Sequence, residues 1–491
     1  MPCTTVLVGK KASYDGSTMI ARNDDSPSGL FEEKKLVEVD PKKQPRKYKS
    51  KIAKLTIELP DDPLRYTCMP NVDPSHGIWP AAGINAENVA MTATETITTN
   101  ARVMGADPYV EYRPAKGNKK AVAGGIGEED LVAIVLPYIH SAREGVERLG
   151  ALLAEYGTYE PNGIAFSDKD EIWWLETIGG HHFIAKRVPD DAYVTMPNQF
   201  GLDTFDLNDA YGAQKENICS PDLKDFMAKN HLYLGKDEEV INPRLAFGSH
   251  DDSDHVYNTP RAWFIERYFN PRTIVWDGPN AQYTPESDDI PWHLVPEHKI
   301  TVEDVKYVLS SHFQGTPYDP YGKKGDENTK HMYRPIGVNR TSFLGLMQIR
   351  GYRPKEIAAI EWIGFASNVF NGFVPFYTNT IKVPAYYGNT TLRISTDNFY
   401  WASRLLGALA DPHFNLNSIF IERYQDSVAD FAHQEITKID AEYLKTKDLS
   451  VIDKGNQVLA DKVQEYTDKA LKDVLYVTSM NMKNAFARSD N

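Results

Sequence analysis

Apolar positions near the start of the chain fall into two short runs. Val6-Leu7-Val8 stops at Gly9 and two lysines, and Thr18-Met19-Ile20-Ala21 ends in Arg22-Asn23-Asp24-Asp25. Asp15-Gly16 lies between them, so the pattern predicts a β-hairpin that carries Arg22 and its acids back to Cys3. Further strand-like runs are read at 36–39, 52–59, 65–69 and 89–98, with 42–54 as a basic exposed loop. From 128 to 156 apolar residues recur at helical spacing; Pro137 should kink or split that helix and Gly157 should close it. Strands return at 163–167, 171–177, 182–187 and 193–196. Segment 209–239 reads as mixed, 242–261 as a polar loop, and 302–313 as a helix. Strands are expected again at 342–349, 358–364 and 381–384, and mostly helix from about residue 400. Strands and helices arrive in blocks without βαβ alternation, which predicts an α+β fold with antiparallel sheets.

Composition narrows the function. The 491 residues hold 54 Lys and Arg against 68 Asp and Glu, a net charge of −14. That balance argues against nucleic acid or an anionic membrane as partner. No apolar run approaches the ~18 residues that would span a bilayer, and the run at 6–8 is too short for a signal peptide. Three cysteines in so long a chain make no disulfide framework. The chain reads as a cytoplasmic enzyme acting on small molecules. With no repeat and no marked linker, residues 1–491 are expected to form one large domain.

The common site motifs are absent. No Gly-x-Ser-x-Gly elbow occurs. Gly124-Gly125-Ile126-Gly127 runs into Glu128-Glu129-Asp130, whose charge would repel a phosphate, so it reads as a flexible lead-in to a helix. His181-His182 lies in a strand pattern whose neighbours face opposite sides, which argues against a shared metal. The loop from Ser249 to His255 holds two histidines and three carboxylates, either simply solvated or able to bind a divalent cation. Cys68 and Cys219 suit packing as small hydrophobes. Cys3 is either an ordinary cysteine opening a strand or a nucleophile. Removal of Met1-Pro2 would give it a free α-amine, a base built into the nucleophilic residue.

Cys3-Thr4-Thr5, followed by Asp15-Gly16-Ser17-Thr18-Met19-Ile20-Ala21-Arg22-Asn23-Asp24-Asp25, resembles the start of the PepD-type cysteine dipeptidases. These are N-terminal nucleophile hydrolases, more distantly related to bile salt hydrolases and penicillin V acylases. The likeness continues at Gly83-Ile84-Asn85, at 194–200, at 333–337 and at 373–377, and so covers most of the chain. It implies a four-layer αββα fold, two stacked antiparallel sheets between helices. It also implies a dipeptidase with no metal or organic cofactor, small peptides as substrates, and a homo-oligomer. Cys3 would be the nucleophile, Arg22 its neighbour, and Asp25 the partner of the α-amine; strict strand alternation would instead put Asp24 on the face of Arg22. Asn198 would serve the oxyanion, Arg261 would be the second active-site arginine (with Arg267 as the fallback), and Glu95 or Asp24 would read the substrate's α-ammonium. An amidase of the bile salt hydrolase or penicillin acylase type is the alternative within that fold. A metal-dependent peptidase built on the 250–255 loop is the alternative outside it.

Overall fold

Alternation along the first strand decides the architecture. On Thr4–Val8, Val6 and Val8 turn outward with Met19 and Ala21 of the next strand, onto a helical layer; Leu7 and Ile20 turn inward, toward a second sheet. The computed structural model describes residues 3–237, 239–249 and 251–482.

Thr4–Val8 and Thr18–Asp25 pair antiparallel in the register Thr5↔Arg22 and Val6↔Ala21, the hairpin expected from the pattern. Gly16 takes a left-handed φ of 83° at the turn, and the Asp15 carboxylate accepts from the backbone N–H and hydroxyl of Ser17. The pair lies inside a seven-stranded antiparallel sheet. Its order is His293–Leu294, Tyr193–Met196, Thr4–Val8, Thr18–Asp25, Thr341–Ile349, Ala359–Phe365 and Val374–Tyr377. A second, six-stranded antiparallel sheet runs Asn217–Cys219, His182–Arg187, Ile172–Ile178, Gly163–Ser167, Ala90–Thr92 and Ala82–Ile84.

The apolar side chains sort into three layers of packing. Leu7, Ile20 and Phe343 of the first sheet meet Ala82, Ala165 and Trp174 of the second in a shared core. On the outer face of the second sheet, Phe166, Trp173 and Leu175 pack against Leu131–Val135 and Ala142–Tyr156. On the outer face of the first, Val6, Met19 and Trp362 pack against Thr259–Phe269, Val302–Leu309 and the helix Phe414–Thr446. Helix, sheet, sheet and helix therefore stack in that order. The α+β class expected from the sequence is the observed one.

Pro137 splits the stretch at 128–156 as expected, into two helices joined by a 3₁₀ turn, Leu136–Tyr138, and Gly157 closes the second. Other local readings need correction. The supposed loop at 42–54 contains the strand Lys47–Lys49, paired to Thr56–Glu58. The run at 89–98 stays in the sheet only over Ala90–Thr92, with an isolated bridge at Glu95↔Gly163. The polar segment 242–261 is largely helical, as Pro243–Phe247, Asp254–Tyr257 and the start of Thr259–Phe269. No strand forms at 381–384; the strand is Val374–Tyr377. Its Pro375 is tolerated because the strand is at the sheet edge. There the Asn456 side chain accepts from the Tyr377 N–H at 2.9 Å and donates to the Tyr377 carbonyl at 3.0 Å, covering the open edge.

Candidate active site

Cys3 immediately precedes the first strand, fully buried, with its thiol against Arg22 on the inner face between the sheets. Two residues on the partner strand share that face by the same alternation, Arg22 and Asp24. Arg22 Nη2 donates to Cys3 Sγ at 2.9 Å, to Glu128 Oε1 at 2.8 Å and to Asp24 Oδ1 at 3.3 Å, and Nη1 donates to the Ala81 carbonyl at 3.0 Å. Burial works against the guanidinium charge, but Cys3, Glu128 and Asp24 outweigh it, so the cation is held. Asp24 is saturated on its other side by the buried Lys34, Nζ to Oδ2 at 3.0 Å. Burial also opposes its ionisation; Lys34 and Arg22 outweigh that and keep its carboxyl below the usual range.

Two cations thus hang on one turn. Lys34 donates to the Trp79 carbonyl at 2.8 Å, and Arg22 to that of Ala81. Trp79 and Ala81 both sit at left-handed φ, 45° and 61°, which costs energy for residues with a Cβ. Gly83, two residues on, has no room for a Cβ, which would lie 2.0 Å from the Thr67 carbonyl oxygen.

A second group reaches Cys3 from the other side. Arg261, in the first turn of Thr259–Phe269, donates from Nη1 to the Cys3 carbonyl and to Thr4 Oγ1, the latter at 2.7 Å. Its Nη2 donates to Asn198 Oδ1 at 2.7 Å and to Asn258 Oδ1 at 2.6 Å. That fixes the amide of Asn198, whose Nδ2 donates to Glu95 Oε1 at 2.8 Å and to the Thr96 carbonyl at 3.0 Å. Glu95 Oε2 accepts from Thr5 Oγ1 at 2.9 Å, so this carboxyl bridges the two sheets. Burial pushes Glu95 well above the usual carboxylate range, against the pull of Arg261 and Arg22.

The structure therefore brings Cys3, Arg22, Asp24, Glu95, Asn198 and Arg261 together. Asp25 does not join Arg22: the strand runs on without a bend after Asn23, and the irregularity falls in the partner strand between Thr341 and Phe343. Asp25 instead accepts from Arg334 Nη2 and Thr341 Oγ1, both at 2.5 Å. Arg267, the fallback for Arg261, pairs with Asp277. Glu95 and Asp24, expected to meet a substrate ammonium, have both oxygens engaged by protein.

Glu128 was missed. Read as part of a charged lead-in, it is buried and holds Arg22. The preceding glycines are tight rather than flexible: a Cβ on Gly125 would lie 2.3 Å from the Gly157 carbonyl oxygen, and one on Gly127 2.2 Å from the Tyr159 ring. His181 and His182 also depart from the alternation argument, since both Nδ1 atoms reach the Asp107 carboxylate, at 2.9 and 2.8 Å. His181 precedes the strand His182–Arg187, so strand alternation does not set the direction of its side chain. In the loop 249–255, His250 lies outside the described residues. Asp254 accepts from Asn258, and His255 Nε2 meets Asp288 Oδ1 at 2.8 Å. Among the described residues no group of three His, Cys, Asp or Glu is arranged to hold a metal, and no helix is long and apolar enough to cross a membrane.

Burial pushes the Cys3 thiol up to about 12; Arg22 pulls it down, while Glu95, Glu128 and Asp24 add to the rise. A thiol so placed is protonated at neutral pH and needs a base within reach before it can attack.

The model of peptidase family C69 matches residues 2–427. A protein named dipeptidase from Bifidobacterium longum is 54% identical, with all of both chains covered. A probable dipeptidase A from Streptococcus pyogenes serotype M3 is 51% identical over the full length of both. Dipeptidase A of Lactobacillus helveticus is 44% identical, covering 96% of this chain and 95% of its own.

Proposed function

The chain belongs to peptidase family C69, and from that premise we propose that it is a dipeptidase whose nucleophile is Cys3. The observation that carries this reading is the thiol at the head of the chain, buried and gripped by Arg22 at 2.9 Å. Removal of Met1-Pro2 frees the Cys3 α-amine, whose ordinary pKa of about 7.7–8.0 suits it to take the thiol proton near neutrality. Arg22 stabilises the thiolate as it forms. The thiolate attacks the peptide carbonyl, the amine returns its proton to the leaving group, and water hydrolyses the thioester.

Asn198 supplies an amide donor to the tetrahedral oxyanion, and Arg261 holds that amide and the Cys3 backbone in place. Asp25 is the proposed partner of the α-ammonium on the strength of the Arg22-Asn23-Asp24-Asp25 likeness, and it would have to share its oxygens with Arg334 and Thr341. Buried carboxylates around the thiol suit a substrate with a cationic end better than an uncharged acyl amide. The proposed setting is the cytoplasm.

Intact-mass measurement and alkylation test the reading together. Active enzyme is expected to lack Met1-Pro2 and to lose all dipeptide hydrolysis on alkylation of Cys3, with full activity kept in a chelator. Active protein whose N-terminus reads Met-Pro-Cys overturns it.

A further inference from the structure

A dipeptide differs from an internal peptide segment by an α-ammonium two bonds from the scissile carbonyl, so a dipeptidase needs an anionic oxygen close to its nucleophile. Three buried carboxylates touch the Cys3 environment. Asp24 is spent on Arg22 and Lys34. Glu95 is spent on Thr5 and Asn198. Glu128 gives Oε1 to Arg22, on the same guanidinium nitrogen that touches Cys3 Sγ. Its Oε2 is buried with no hydrogen-bond partner, on a side chain only 1% exposed.

An ionised carboxylate oxygen left bare in the interior is costly and calls for an explanation. The surroundings sharpen the point. The neighbouring carboxyl of Glu160 accepts the Glu128 backbone N–H at 2.6 Å, and burial together with the Glu128 charge pushes it up to about 7. Arg22 is the one cation in contact with the Glu128 carboxylate among the described residues, and it is already divided among Cys3, Asp24 and Glu128.

We propose that Glu128 Oε2 accepts the α-ammonium of the dipeptide, so that Glu128 is the residue that restricts the enzyme to substrates with a free N-terminus. The proposal rests on the dipeptidase reading and adds the means of selection. One guanidinium nitrogen spaces the nucleophile from the acceptor, so the amine is read at a fixed distance from the attacked carbonyl. The same acid cannot serve the interior of a longer chain, whose amide N–H carries no charge.

The test uses processed wild type and Glu128→Gln on a free dipeptide (the best substrate among Ala-Ala, Leu-Ala and Phe-Ala) and on its desamino isostere, the amine replaced by hydrogen. Wild type should prefer the free dipeptide by about 100-fold in kcat/KM. In Glu128→Gln any loss that passes through Arg22 and the thiol falls on both substrates alike, and the rate of Cys3 alkylation measures that shared part. Beyond it, the preference for the free dipeptide should collapse through a raised KM for that substrate alone. Equal losses on both substrates, or a loss confined to kcat, overturn the assignment and reduce Glu128 to a positioning residue for Arg22. Should Glu128→Gln not fold, Glu128→Asp keeps the charge but withdraws the carboxylate by one methylene; its KM for the free dipeptide should rise about tenfold, and an unchanged KM overturns the proposal. A wild type that cleaves no dipeptide, or cleaves it after Cys3 is alkylated, overturns the proposed function and this assignment with it. A wild type that cleaves dipeptides through Cys3 while Glu128→Gln keeps full selectivity overturns the assignment alone.

Discussion

Arg261 donates to Asn198 Oδ1 at 2.7 Å and so decides which end of that amide faces the thiol's surroundings. With the oxygen held, the nitrogen must point toward Glu95 and Thr96, and both of its hydrogens are in use. An oxyanion at Asn198 would therefore have to displace one of these acceptors, and the ionised or neutral Glu95 sets how firmly the amide is held.

Asn198→Ala should lower kcat by about 10²–10³ with KM changed little, the signature of a donor used in the transition state. Asn198→Asp should be as damaging, because a carboxylate offers no hydrogen. Steady-state kinetics on a single dipeptide checks both, and a kcat within a few-fold of wild type for either variant removes Asn198 from the mechanism.

Arg22→Lys tests whether a point charge suffices. One ammonium cannot reach Cys3, Asp24, Glu128 and the Ala81 carbonyl as the planar guanidinium does. The expected outcome is at least about a hundredfold loss in kcat/KM and slower alkylation of Cys3 at pH 7. Arg22→Met goes further and leaves Asp24 and Glu128 without their shared cation, so unfolding free energy should fall by about 3–5 kcal/mol. Denaturant titration measures it; a Met variant as stable as wild type would show that the acids find another partner.

A pH dependence of stability follows from Glu361. It is fully buried on Ala359–Phe365; Oε2 accepts from Thr67 at 3.0 Å and Oε1 has no partner. Burial pushes it up to about 8 from 4.5, against the Thr67 hydrogen bond. The folded value is raised, so the stability this group contributes is complete below 4.5, declines as pH rises, and is gone above about 8. Glu361→Gln removes that slope. Denaturant melts at pH 5, 7 and 9 should show the variant gaining on wild type with rising pH, by a few kcal/mol (on the order of 1.4 per pKa unit) at the upper end. Parallel curves would mean that Glu361 is ionised in the native state.

Cys3→Ala should abolish turnover while leaving the unfolding midpoint close to wild type, because a methyl still fits the space beneath Arg22. Circular dichroism and a dipeptide assay check the pair. Retained hydrolysis would shift attention to the loop at 249–255.

What could be read in advance follows the physics of each segment. Gly163–Ser167, His182–Arg187 and Tyr193–Met196 were legible to the residue, since β-rich runs bounded by turn residues leave one choice. That Arg22 would lie beside Cys3 was legible because a hairpin has a fixed partner geometry. The helix carrying Arg261 was hidden by its polar approach and by Pro260, which is tolerated in a first turn. The strand with Pro375 was hidden because edge position, a tertiary fact, decides whether proline is allowed. Glu128 was illegible for a different reason. A Glu-Glu-Asp run looks solvated, and only the close packing of Gly125 and Gly127 reveals that the backbone there is driven inward.

The Thr5–Glu95 hydrogen bond spans two sheets whose strands come from distant parts of the chain. Thiol, Arg22 and Thr5 ride on one sheet, while Ala81 and Glu95 belong to the margin of the other. Neither sheet alone carries a working set of charges. A nascent chain with one sheet formed would bear a solvated cysteine and an arginine with nothing to organise them, and could not cut the peptides around it. On the proposed mechanism, assembly of the sandwich is thus the event that arms the enzyme, and hydrolytic activity regained during refolding should follow the docking of the sheets, with no lead over it.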